Sequence, residues 1–254
     1  MAYGLTQSMR LTKASSEYAT IADNSSLSFS GTDTITIEFW VKMKETLSNP
    51  AGRWMILKST GNTTNREYET SYEDFGTKQL VFRIFTSGTP TNFFTSILSY
   101  ALTIDTWFHV AVTCDVPSTT LATKAKWYID GVSQSVTNTN TGTGCTAMFN
   151  GTSAFRIGQS DPVTAGYYPD AQFSLVRIWK TVRTASEIND NKCNVLGTTT
   201  SLQAEWTLDN VYTDNSGNGN TLTGVNTPTF VSDVPSTCGA AATPGPQLTM
   251  VGIG

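Results

Sequence analysis

The sequence predicts an all-β protein: a sandwich of two antiparallel sheets with one short helix. Three observations carry that prediction. Apolar and polar residues alternate with period two in segment after segment, the pattern of strands with one buried face. Charged residues make up only 14% of the 254, and Thr, Ser, Asn and Gly fill the gap, which suits strands and turns better than helices. Polar turns separate the alternating segments at the spacing of a β-sandwich.

The elements follow in order. In TITIEFWVK, Ile35, Ile37, Phe39 and Val41 alternate with Thr36, Glu38, Trp40 and Lys42. QLVFRIF (79–85) sets Leu80, Phe82 and Ile84 against Val81, Arg83 and Phe85. WFHVAVTC (107–114) and KAKWYID (124–130) come next, and Asp130-Gly131 marks a type I′ hairpin, which needs positive φ at both central positions. AFRIG (154–158), QFSLVRIWK (172–180), LQAEWTL (202–208) and a short piece at Pro228-Thr229-Phe230 complete the strands. Thr184-Ala185-Ser186-Glu187 forms a capping box, so a helix runs from it through Ile188 and stops near Asn194. Long polar loops are expected at 43–53, 59–66, 115–123, 137–153 and 159–170. Residues 1–233 read as the folded domain and 234–254, low in packing potential, as a C-terminal tail.

Composition narrows the function. A net charge of -4 and the lack of any Lys/Arg cluster argue against nucleic-acid binding. The longest apolar runs fall far short of a membrane helix, and MAYGLTQSMRLTKASS has no apolar h-region, so neither membrane span nor leader is expected. Four cysteines allow three pairings. Cys114 shares a face with Phe108, Val110 and Val112 and reads as a buried free thiol. Cys193 and Cys238 flank the C-terminal strands and can meet, if the compartment is oxidising.

A resemblance rests on the order of several motifs. TWFHVAVTCD (106–115), KWYIDGV (126–132), FRIGQSD (155–161), FSLVRIWKTVRTASEI (173–188) and LQAEWTLDN followed by DNSGNGNTLTG (up to 224) resemble, in succession, the laminin-G-like, pentraxin-related branch of the concanavalin A-like lectin/glucanase superfamily. The likeness covers about residues 5–231. It implies a jelly roll with neighbouring termini. The ending PTFVSDVP (228–235) is similar to those of laminin-G-like proteins of bacteriophages and uncultured bacteria.

Each chemical candidate has a plainer reading beside it. Retaining glucanases of the superfamily carry E-x-D-x-E on one strand face, because nucleophile and acid must flank the bond. The nearest match is EYETSYED, with Glu67, Glu69, Glu73 and Asp74. Glu67 and Glu69 would share a strand face, but the central Asp is absent and the stretch reads as a solvated edge in a loop-prone region. His109, the single histidine, reads as a hydrogen-bonded structural residue. DNSGNGN (214–220) offers oxygens to calcium through Asp214 and Asn218, with Asp209 nearby, or is an Asx-turn tied by Asp214. The loop at 160–172 brings Asp161, Tyr167, Tyr168 and Asp170 to one end of the sandwich, where they would contact a glycan or a protein partner, or pack locally. Tyr68, Tyr72 and Phe75 would add aromatic surface. Trp40, Trp107, Trp127, Trp179 and Trp206 read as structural, as does Arg177, paired with a carboxylate in the sheet.

The expected function is non-catalytic: a structural or accessory protein of a virus-particle surface, a capsid decoration or tail-associated module. It would act through contacts with other virion proteins or copies of itself, with weak binding to host glycans. The alternative is a secreted or cell-surface carbohydrate-binding module, lectin-like and calcium-assisted.

Overall fold

In the computed structural model, which describes residues 4–59, 64–159 and 167–238, strands dominate. In chain order they are β1 (Ser8–Leu11), β2 (Tyr18–Ile21), β3 (Ile35–Met43), β4 (Ala51–Ser59), β5 (Arg66–Asp74), β6 (Lys78–Gly88), β7 (Phe93–Ser99) and β8 (Trp107–Cys114). After a single helical turn, α1 (Leu121–Lys124), come β9 (Ala125–Ile129), β10 (Val132–Gln134), β11 (Thr137–Thr141), β12 (Phe155–Ile157) and β13 (Ala171–Trp179). The helix α2 (Ala185–Asn191) precedes β14 (Leu202–Trp206), β15 (Thr223–Val225) and β16 (Thr229–Val231).

Two antiparallel sheets form. Sheet I runs β10-β9-β8-β3-β13-β1-β16, with β14 also on β13; sheet II runs β11-β7-β6-β5-β4-β12-β2-β15. Their facing sides make one core. Ile35, Ile37, Phe39, Val41, Val110, Val112 and Cys114 come from sheet I, and Tyr68, Tyr72, Leu80, Phe82, Ile84 and Phe94 from sheet II. Each such large apolar side chain contributes about 1.5–3 kcal/mol on burial. The alternation in TITIEFWVK is thus the geometry of β3, and Cys114 is a buried free thiol.

The helix and hairpin form as their residues dictate. The Thr184 hydroxyl accepts the Glu187 N–H, and Glu187 Oε2 accepts the Thr184 N–H at 2.7 Å. Asp130 and Gly131 have φ of 53° and 86°, and Ile129 pairs Val132 across the two-residue turn.

Sheet I has a covered outer face. A bulge between Ser174 and Arg177 puts Leu175 at a φ of 46° and changes the parity of β13. Val176 then enters the core and Arg177 faces outward. Leu175 packs outside with Leu5, Trp40 and Cys238, beneath a disulfide between Cys193 and Cys238 whose Cα atoms are 4.9 Å apart. The Leu5 N–H donates to the Cys238 carbonyl at 3.1 Å, and Asp233 accepts from Lys42 and the Trp107 indole. The ends of the described chain are therefore neighbours.

The expected loops at 43–53, 59–66 and 137–153 contain strand. β4 starts at Ala51, β5 at Arg66, and β11 spans Thr137–Thr141. EYETSYED is no solvated edge: it is most of β5, in the interior of sheet II between β4 and β6.

Candidate functional site

The outer face of sheet II is built by β4 to β7, and cross-strand partners share a face. One row runs Gly52–Glu73–Gln79–Ser99, the next Trp54–Ser71–Val81–Ile97, and the third Leu57–Glu69–Arg83–Thr95. The inward residues of β5 are Tyr68, Thr70 and Tyr72, so its outward row is Glu69, Ser71, Glu73. Tyr68 and Tyr72 belong to the core and offer no loop surface, whereas Phe75, just past the strand, is exposed.

Glu67 does not join that row. The register slips between Arg66 and Tyr68, and Glu67 binds Lys58, while Glu69 binds Arg66 at 2.7 Å. The expected shared face of Glu67 and Glu69 is therefore wrong, because a bulge breaks period two between them. The row that the strand does form is E-x-S-x-E, with Ser71 donating to Glu73 at 2.6 Å. Arg83 Nη1 lies 2.9 Å from Glu73 and 3.7 Å from Glu69. Both carboxylates lie deep, at 2% exposure for Glu69 and 6% for Glu73. Burial pushes Glu69 up despite Arg66 and Arg83. Against its own desolvation, Arg83 is held protonated by Glu73 and Glu69.

Aromatic groups border this polar floor. Trp54, half-buried, sits beside Ser71 in the second row. The Tyr167 carbonyl accepts the Trp54 N–H at 3.3 Å, and the ring of Tyr167 lies over Gly52, 36% exposed. A Cβ on Gly52 would stand 3.5 Å from that ring and 3.6 Å from Glu73, ordinary van der Waals contact, so the ring packs directly over the strand. Trp54 is the residue that sequence reasoning missed. Its signal is the alternation of Gly52 and Trp54 with Arg53 and Met55, across the end of the loop expected at 43–53.

The other candidates from the 160–172 loop separate. Asp161 lies outside the described residues. Tyr168 is half-buried against Tyr18, ring centroids 6.3 Å apart. Asp170 is an anchor: it pairs with Arg10, its N–H donates to Glu45 at 3.0 Å, and its carbonyl accepts from Lys44. Burial opposes the Glu45 charge, but Arg53 and the Asp170 N–H hold its carboxyl below the usual range. A cavity of about 230 Å³ beside Glu45, Tyr72, Lys78 and Ile104 is smaller than ordinary small-molecule sites.

The residues of DNSGNGN do not fit a calcium site. The Asp214 carboxylate accepts four hydrogen bonds, from the N–H groups of Glu205, Ser216 and Asn220 and from the Ser216 hydroxyl. Asn218 donates to the carbonyls of Leu202 and Gln203. Asp209 is engaged elsewhere, accepting from Thr6 and Gln7 in the N-terminal segment. Among the described residues no three His, Cys, Asp or Glu side chains gather as a metal would require.

His109 is fully buried beside Trp40, but it is not hydrogen-bonded through its ring as expected. Neither imidazole nitrogen has a partner among the described residues, and Glu38 Oε2 stands 3.8 Å from Nε2. Arg177 is paired as expected, to Glu205 at 2.8 Å and Glu38 at 3.3 Å. The indoles of Trp40, Trp107, Trp127, Trp179 and Trp206 all donate hydrogen bonds within the fold.

The comparisons agree with this architecture. The chain superimposes on a candidate carbohydrate-binding protein of Bacteroides ovatus ATCC 8483 with a TM-score of 0.62 at 17% identity, over 90% of this chain and 60% of that one. It thus spans less than two thirds of that relative. A native heptameric SAP-like pentraxin of Limulus polyphemus matches with a TM-score of 0.53 at 9% identity, over 87% of this chain and 96% of the pentraxin. No curated protein sequence matches. A laminin G family model, described as concanavalin A-like lectin/glucanases superfamily, matches residues 13–189. With two antiparallel sheets, a matching order of motifs and that span in common, the chain belongs to the concanavalin A-like lectin/glucanases superfamily.

Proposed function

We propose that the protein is a non-catalytic, lectin-like module that binds carbohydrate on the outer face of sheet II. The observation that carries this reading is the pairing of Trp54 and Tyr167, joined through the backbone, beside the partly exposed polar groups Gln79 and Arg83, with Ser71 and Glu73 buried beneath them. A pyranose presents an apolar face to an aromatic ring and hydroxyls to polar neighbours, and this face offers both. Sheet I offers no equivalent, since its outer face lies under α2 and the disulfide-linked segment. The candidate carbohydrate-binding relative shares the fold.

The same floor argues against hydrolysis. Glycoside hydrolysis needs one carboxyl as acid and another as base or nucleophile. Here Ser71 stands at the centre of the row, and both glutamates are buried against guanidinium groups, Glu69 against Arg66 and Glu73 against Arg83. A module of this kind works where glycans are displayed, outside a cell or on a particle surface, and its disulfide suits an oxidising location. The virion-surface role rests on sequence resemblance alone.

Glycan-array screening of the full chain, followed by titration calorimetry, tests the reading. Trp54→Ala and Tyr167→Ala should each weaken a hit about tenfold or more, roughly 1.4 kcal/mol. An array with no hits, or hits indifferent to both substitutions, would sink it.

A further inference from the structure

At one end of the sandwich, away from both faces described above, β4 and β5 bring a lysine against two acids. Lys58 is fully buried, and its Nζ stands 2.7 Å from Asp23 Oδ1 and in contact with Glu67 Oε1. Its cross-strand partners are Tyr68 on β5 and Phe155 on β12, both in the core. Glu67 is also fully buried. Its Oε1 accepts the Gly151 N–H at 3.1 Å, while Oε2 has no partner among the described residues. The bulge that removes Glu67 from the outer row is what gives it to Lys58. Asp23 lies between β2 and β3, its side chain 35% exposed, with the Ser28 hydroxyl 3.2 Å from the same Oδ1.

For stability alone this is a poor use of a core position, because a buried ion pair gains little over an apolar side chain of similar size. For amide chemistry it is a complete site. An amine touches a carboxyl group, a second carboxyl touches the amine, aromatic side chains exclude water, and the exposed side of Asp23 gives a leaving water its exit. We propose that Lys58 and Asp23 join in an intramolecular isopeptide bond, with Glu67 as the catalytic proton carrier.

The step balances without a cofactor. One proton passes from the Lys58 ammonium to the Asp23 carboxylate, leaving an amine and an acid. Lys58 Nζ attacks Asp23 Cγ and the Nζ–Cγ bond forms. Glu67 takes a second proton from nitrogen and returns it to the departing hydroxyl as the Cγ–Oδ bond breaks. One ammonium and one carboxylate become one amide and one water. Burial pushes Glu67 up to about 7 against the pull of Lys58, so it can both take and return a proton near neutral pH. Holding the reacting groups in contact supplies the high effective concentration that condensation in water lacks.

Intact-mass spectrometry of the full chain, with tryptic mapping, tests this. The expected mass is below that of the disulfide-bonded sequence by one water. Trypsin should fail to cut after Lys58, and a branched peptide should join the segments holding Lys58 and Asp23. Asp23→Ala and Glu67→Gln should keep the full mass. The wild-type measurement stands even if a variant does not fold. A wild-type chain at full mass overturns the proposal, and so does a water loss without the branched peptide. If Glu67→Gln forms the bond at the wild-type rate, the role of Glu67 is overturned.

Discussion

Arg177 Nε sits 2.8 Å from Glu205 Oε1, and Nη1 of the same guanidinium reaches Glu38 Oε1 at 3.3 Å. All three side chains are fully buried beneath the segment that follows α2. Glu205 also accepts the N–H groups of Leu196 and Gly197, and Arg183 and the Trp179 indole complete the shell of Glu38. One arginine thus fastens β13 to β3, to β14 and to the segment after α2.

Arg177→Ala should destabilise the protein by about 3–5 kcal/mol, since it strips buried Glu205 of its cationic partner and leaves Glu38 with Arg183 alone. Arg177→Lys should recover only part, because an ammonium lacks the planar fork that serves both acids. Urea denaturation of the three proteins measures the difference.

His109 predicts an acid-sensitive window. Burial lowers its pKa to about 4, a shift that Glu38 resists and that Arg177, Lys192 and Arg183 reinforce. The unfolded chain takes up the proton near pH 6.5, before the folded one can. Stability is therefore full above that pH and falls as pH drops toward 4, by roughly 3 kcal/mol for a shift of this size. Glu38 is held low by Arg177, His109 and Arg183 in spite of its burial, so its own contribution is lost at lower pH. His109→Gln should flatten the slope between pH 6.5 and 4.5 in denaturation curves. An unchanged slope would remove His109 from the account.

Asp214→Ala should cost about 1.5–3 kcal/mol or more, since three backbone N–H groups and a hydroxyl lose a charged acceptor. Calcium and EDTA should leave the wild-type Tm unchanged in calorimetry. A rise with calcium would show that the turn rearranges to bind it.

Cys238→Ala removes a crosslink across a separation of 45 residues. The chain-entropy relation gives about 4 kcal/mol for a loop of that length. Hydrogen exchange should show the Leu5 amide losing its protection along with the Cys238 carbonyl that accepts it.

The fold was legible wherever a strand turns one apolar side to the core. TITIEFWVK, QLVFRIF and WFHVAVTC announce β3, β6 and β8 because every second residue of each is an apolar side chain of the core. REYETSYED hid β5, because its inward side is Tyr68, Thr70 and Tyr72 and its outward side is acidic. Both sides look polar to a pattern reader, and two of the cations that make the acids tolerable inside, Lys58 for Glu67 and Arg83 for Glu73, lie on other strands. The same misreading concealed the candidate face, whose Trp54 sits on the partner strand β4. The Asp214 turn was easier: an Asx-turn and its glycines lie within seven residues.

The disulfide also decides how the protein would carry a mechanical load. If tension entered at Leu5 and left at Cys238, the sulfur bridge would pass it directly to Cys193 at the foot of α2. Residues 194–237, with β14, β15 and β16, would hang in a closed loop that feels no stretch. The force would bear on the strands between β1 and α2 instead, which include the whole Trp54 face.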